Sequence, residues 1–129
     1  MTNAYMAIHP QILRIGTELT FDVFLRMSAE KFERLIKAGK IYSALIHIKI
    51  YKHSVPALFI SKGEIDFYFT YLEDNFDDVF KDLLISPRSK AQIAHELVTS
   101  LAKFTLENPD PGIIKRYKKI IAILSQFIM

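Results

Sequence analysis

Glu64-Ile65-Asp66-Phe67-Tyr68-Phe69-Thr70-Tyr71-Leu72, running on through Phe76, Val79, Phe80 and Leu83, is the stretch on which the fold turns. Its apolar residues fall at 65, 68, 69, 72, 76, 79, 80 and 83, the i, i+3, i+4, i+7 spacing that aligns one stripe of an α-helix. Glu64, Asp66, Glu73, Asp74, Asp77, Asp78 and Asp82 lie between them, opposed only by Lys81. The spacing predicts a long amphipathic helix over 64–84 with an acidic outer face. Such a stripe needs cover, and the two following segments are patterned to supply it. Ser86-Pro87 is an N-cap residue with proline at the first helical position. It opens a helix whose stripe is Ala94, Leu97, Val98, Leu101, Ala102 and Thr105, edged by Ile93 and Phe104 and ending near Asn108-Pro109. Asp110-Pro111 repeats that start for a last helix, 111–128. There Ile114, Tyr117, Ile121, Leu124 and Ile128 form one stripe, and Ile113, Ile120 and Phe127 a second beside it.

The chain before the acidic helix reads as mixed structure. Residues 4–26 are rich in strand formers, with Pro10 and Gly16 as punctuation. Phe21-Asp22-Val23-Phe24-Leu25-Arg26 is the clearest strand, setting Phe21, Val23 and Leu25 against Asp22, Phe24 and Arg26. Ser28 is expected to cap a helix over Ala29–Ala38, with Phe32, Leu35 and Ile36 as its stripe and Gly39 as its left-handed C-cap. Residues 41–53 support two readings. Strict alternation over Ile46-His47-Ile48-Lys49-Ile50-Tyr51-Lys52 favours a strand. Ser43 as N-cap favours a helix in which Ala44, Ile48 and Tyr51 share a face with Ile41 or Leu45. Val55-Pro56-Ala57-Leu58-Phe59-Ile60 is a short buried strand with Pro56 at its start or on an edge.

These elements make an α+β fold: a small N-terminal sheet or hairpin with one or two short helices, then three amphipathic helices packed as a layer or bundle. At 129 residues the chain is one domain, 1–129, mixed strand and helix over residues 1–62 and helical over residues 63–129. Half its residues are apolar, a globular composition, and it has no cysteine, which excludes disulfides, thiolate metal sites and a cysteine nucleophile. The start Met1-Thr2-Asn3-Ala4-Tyr5 has no leader pattern and no run is long enough to span a bilayer, so a cytoplasmic location with no membrane insertion is expected. The net charge of +3 is scattered and does not form a concentrated basic surface, so nucleic acid is not expected as a partner.

The chemistry-bearing residues form no catalytic pattern. His47 and His53 are six apart, and His9 and His95 stand alone, without His-x-x-x-His spacing. His95-Glu96 reads as a polar position on a helix. Glu73, Asp74, Asp77 and Asp78 converge poorly for a divalent cation and read as a solvated face. No phosphate loop and no nucleophile elbow occurs. Catalytic, metal and cofactor sites are therefore expected to be absent.

The strand Phe21-Asp22-Val23-Phe24-Leu25, the run Lys31-Phe32-Glu33-Arg34-Leu35-Ile36-Lys37-Ala38-Gly39, Leu58-Phe59-Ile60, and the Tyr- and Leu-rich helices closing at Glu107-Asn108-Pro109 together resemble a bacterial regulatory domain. It is the domain found ahead of HD-type (HD-GYP) cyclic-dinucleotide phosphodiesterases, and the resemblance covers most of residues 8–129. It implies a small α+β domain whose last helix leads into the enzyme, and a helix over 43–53. The chain has no His-Asp dipeptide and no Gly-Tyr-Pro, so no metal or phosphodiester chemistry transfers to its residues. The expected function is thus non-catalytic: a regulatory, protein-interaction domain that couples a signal to a following cyclic-di-GMP phosphodiesterase. The alternative is a stand-alone receptor for a cyclic dinucleotide or other small ligand. The apolar face running to Ile128-Met129 without a C-cap suggests a helix that continues or pairs. Ile113, Tyr117, Ile120, Leu124, Phe127 and Ile128 are the expected contacts, with the downstream domain or a second copy as partner. Lys115, Arg116, Lys118 and Lys119 are the candidate phosphate contacts of the alternative. Phe67 and Tyr71, lying off the acidic helix's main stripe, are candidates for an exposed patch.

Overall fold

The computed structural model describes residues 4–128, the side chain of Ile128 excepted; residues 1–3 and Met129 lie outside the described residues. The expected contact at Ile128 and the leader reading of residues 1–3 therefore fall outside them too. The fold is α+β. Strands β1 (Tyr5–Ile8), β2 (Val23–Arg26), β3 (Phe32–Ile36) and β4 (Leu58–Ser61) form one antiparallel sheet in the order β1-β4-β2-β3. A 3-10 turn at Pro10–Ile12 follows β1, and helix α1 (Ala44–Lys52) lies between β3 and β4. Helices α2 (Ile65–Phe80), α3 (Pro87–Glu107) and α4 (Pro111–Ile128) complete the chain.

Strand alternation sorts the sheet's two faces. Met6, Ile8, Val23, Leu58 and Ile60 turn to the core, while Tyr5, Phe24, Phe32 and Phe59 cluster on the reverse. Helix α3 packs against β1, and α4 packs against both α2 and α3. The core is continuous from the sheet through Phe21, Tyr68, Phe69 and Leu72 to Leu101, Ile120 and Leu124.

The helix starts follow the sequence closely. Ser86 Oγ accepts from Ser89 N at 3.1 Å, and Asp110 Oδ2 accepts from Gly112 N and Ile113 N at 3.0 and 3.2 Å. Each satisfies donors that the first turn leaves unpaired. Residues 44–52 are a helix. Ser43 Oγ accepts from Ile46 N at 3.2 Å, and the apparent alternation resolves because Ile46 and Ile50, four apart, share a face in either periodicity. The face expected to gather Ile41, Ala44, Leu45, Ile48 and Tyr51 is the exposed one. The acidic helix is shorter than its spacing predicts, ending at Phe80, and Leu83 falls outside it at 96% exposure.

The expected helix over Ala29–Ala38 is corrected. Ser28 caps no helix; its carbonyl accepts from Lys31 N in a tight turn, and Phe32–Ile36 pairs antiparallel with β2. Composition favours the helix there, but the register shift at Val23/Phe24 lets the strand send Phe32 to the reverse face and Ile36 to the core. Leu35 distinguishes the two readings: on the strand it is 37% exposed, whereas the helical stripe would bury it. Phe32 meanwhile stacks on Tyr5 at 4.0 Å and meets Phe59 edge-on at 5.2 Å, contacts that only the sheet provides. Gly39 does take a positive φ of +93°, but in the loop after β3, where its N–H donates to Leu19 O.

These placements set stability expectations that separate the two readings. Leu35→Thr should change the unfolding free energy by no more than about 0.5 kcal/mol, since an exposed strand position loses little by the change. Leu101→Ala, fully buried on α3, should cost about 3 kcal/mol. Urea unfolding of both variants measures the contrast; a large loss at Leu35 would restore the helix over 29–38.

Candidate functional site

Two places gather the residues that could act: a seam between α2 and α4, and a cleft between β1 and α3. In the seam, the acidic side of α2 meets the basic side of α4. Arg116 donates to Thr70 Oγ1 at 3.0 Å and Glu73 Oε1 at 3.1 Å, lies 3.7 Å from Asp66 Oδ1, and sits over the Phe69 ring at 5.2 Å. Lys119 Nζ reaches the other oxygen of Glu73 at 3.1 Å. Burial works against ionising Glu73, but the hydrogen bonds from Lys119 and Arg116 prevail and hold its carboxyl below the usual range.

The candidate contacts on α4 divide. Ile120 and Leu124 are fully buried in the chain's own core, so they hold α4 down and are not presented to a partner. Ile113, Tyr117 and Phe127 pack partly buried against that core, and Phe127 stacks on Phe80 at 5.5 Å. Arg116 and Lys119 are committed to α2, while Lys115 and Lys118 make no ion pair among the described residues. Phe67 is 54% exposed, as a patch residue requires. Tyr71 is buried: its hydroxyl accepts from Arg14 N at 2.9 Å and lies 2.7 Å from Thr17 Oγ1.

The acidic cluster is dispersed among separate cations. Arg14 donates to Asp78 at 2.7 Å and pairs with Asp82, Asp77 lies 3.7 Å from Lys81, and Glu73 belongs to the seam. Arg14's salt bridge holds Asp82 below its ordinary range, first through their hydrogen bond. Beside this node Tyr42 Oη and His47 Nδ1 are 3.2 Å apart. Burial pushes the Tyr42 phenol up to about 12, so it keeps its proton, and the imidazole tautomer sets which of the two groups donates.

The cleft is about 350 Å³ and brings together residues the sequence keeps far apart. Ala7, Ile8, His9 and Ile12 form one wall, Pro56 and Ala57 another, and His95, Glu96, Leu97, Thr99 and Ser100 of α3 a third; Tyr68 of α2 also lines it. His9 Nδ1 accepts from Gln11 N at 3.1 Å, and Nε2 stands 3.7 Å from Glu96 Oε2. Burial lowers the His9 pKa, and the Glu96 charge only partly offsets it. Sequence reasoning set His9, His95 and Glu96 aside because it weighs neighbours along the chain, and this cleft is assembled across it. The one local signal was His9-Pro10, which starts the 3-10 turn that aims the imidazole.

The sequence matches no protein-family model and no curated protein. Among solved structures it is similar to Bd1817, an HDG"Y"P protein from Bdellovibrio bacteriovorus. The TM-score is 0.50 at 19% identity, over 90% of this chain and 38% of that one. At that identity the likeness concerns the fold, and this chain spans well under half the length of its neighbour.

Because Glu73 titrates lower in the folded state, its contribution is complete above the ordinary carboxylate pKa of about 4.3 and disappears as pH falls through the lower native value. Glu73→Gln should therefore melt below the wild type at neutral pH, and the gap should close as acid is added. Thermal unfolding across that range tests it; a gap independent of pH would show that the carboxylate charge contributes nothing.

Proposed function

We propose that this chain is a non-catalytic regulatory domain of a bacterial signalling protein, acting in the cytoplasm and coupling a signal to a following HD-type cyclic-di-GMP phosphodiesterase domain. Helix α4 is the transmitter. The observation that carries this reading is the double fastening of α4. Its apolar side is sunk into the core through Ile120 and Leu124, and its basic side is clamped to α2 through Arg116 and Lys119. A helix held this way is tied to α2 along residues 116–124, which is what passing a displacement to a neighbouring domain requires. The fold likeness to an HDG"Y"P protein supports the same context. No helix among the described residues is long and apolar enough to cross a membrane.

Such a domain also needs a surface for whatever it senses. Ile41, Leu45 and Ile48 expose an apolar face on and beside α1, more than isolated surface residues explain. The receptor alternative is weaker, since two of its four cations, Arg116 and Lys119, are already engaged by carboxylates.

The test uses the whole reading frame that contains this chain. Arg116→Glu, which sets like charge against Glu73, should change the rate of cyclic-di-GMP hydrolysis several-fold while the catalytic domain's own unfolding transition stays in place. A frame without an HD-type domain, or a rate that does not respond, would overturn the proposal.

A further inference from the structure

We infer that the cleft between β1 and α3 binds a small organic cation: an amine carrying an apolar body of about two fused rings. This does not rest on the transmitter reading, and the site is distinct from the α2–α4 seam. Three observations converge on it.

Tyr68 is fully buried, yet its hydroxyl makes no hydrogen bond among the described residues. Burial in that state pushes its phenol pKa up. Tyr68 is also one of the residues that line the cleft. Nearly every buried phenol finds a partner. One left open at the edge of a cavity of ligand size offers a donor and an acceptor to whatever enters.

The charge of the lining then selects the class. Glu96 supplies a carboxylate, while no lysine or arginine among the described residues lines the cleft. Glu96 is only loosely engaged. Gln92 Nε2 donates to one of its oxygens at 3.3 Å, and His9 Nε2 stands 3.7 Å from the other, too far for a hydrogen bond. Since His9 Nδ1 accepts from Gln11 N, the neutral ring carries its proton on Nε2 and presents no positive charge to the carboxylate. The carboxylate therefore retains acceptor capacity for a charge-assisted hydrogen bond, which an ammonium group fills and a phosphate or carboxylate does not.

The walls supply the rest. Ala7, Ile8, Ile12, Pro56, Ala57 and Leu97 make an apolar lining, and a volume of about 350 Å³ lies at the small end of ligand sites. An aromatic amine fits with its ring against these walls and Tyr68 and its ammonium beside Glu96.

The experiment is an amide NMR titration of the whole chain with tryptamine, and separately with indole-3-propionate, which keeps the ring and reverses the charge. Tryptamine should give saturable shifts confined to residues 7–9, 56–57 and 95–100, and the carboxylate should give none. Glu96→Gln, a change at a half-exposed position, should weaken tryptamine about tenfold without altering the fold. Tyr68→Phe, which keeps the ring, should weaken it less. Shifts that do not saturate, equal binding of the two indoles, or an unchanged Glu96→Gln would each overturn the inference.

Discussion

Helix α2 carries acidic residues and no lysine or arginine, and the compensation of that charge organises the structure around it. Glu73 and Asp77, and Asp74 and Asp78, are like-charged pairs four apart, each unfavourable by about 0.2–0.5 kcal/mol. Asp77 and Asp78 also lie in the last turn, where the helix dipole favours cations. Arg14 answers Asp78 and Asp82 from the loop after β1, while Arg116 and Lys119 answer Asp66 and Glu73 from α4. Both ends of the chain are thereby bound to one central helix. The individual ion pairs are partly exposed and modest in energy. Their effect is to fix which side of α2 each neighbour occupies, while burial of Tyr68, Phe69, Leu72 and Phe76 provides the stability.

The helical half was legible because it is patterned redundantly. Ser86-Pro87 and Asp110-Pro111 mark the starts, and the stripes between them have a period that admits no strand. The N-terminal half was less so, and the reason is arithmetical. A spacing of four residues is one turn of helix and also two repeats of a strand, so from sequence alone Phe32 with Ile36, and Ile46 with Ile50, fit either, although a register shift in the sheet sends Phe32 and Ile36 to opposite faces. In the first pair the open edge of β2 decided for strand against a helix-favouring composition. In the second the Ser43 cap decided for helix against an alternating pattern.

For the sites, the residue types were legible and their partners were not. The basic run on α4 reads as four equivalent cations, but a rotation of about 100° per residue sends Arg116 and Lys119 to α2 and leaves Lys115 and Lys118 outside that seam. Likewise Ile120 and Leu124 look available for a partner only while α2 and α3 are out of view. Tyr71 read as surplus, because a period of apolar residues does not disclose that its hydroxyl meets Arg14 N and Thr17. The cleft left no trace beyond His9-Pro10, since His9, Pro56, Tyr68 and Glu96 come from four separate stretches of the chain.

The cleft and the seam are nevertheless physically adjacent through α2. Tyr68 lines the cleft, and Phe69, the next residue, carries the guanidinium of Arg116 on its ring. Successive residues on a helix point about 100° apart, so one element faces the cavity and α4 at once. Occupancy alone moves nothing along this route. A bound molecule shifts α4 only by as much as it favours one setting of α2 over another, because a ligand with equal affinity for both leaves their populations unchanged. The close packing on either side of Tyr68 sets how large that preference becomes. Phe21 meets its ring edge-on at 5.7 Å, and Leu72 is buried one turn further along α2. A core this dense transmits a displacement by rigid shift, since it has no room to absorb it by local repacking.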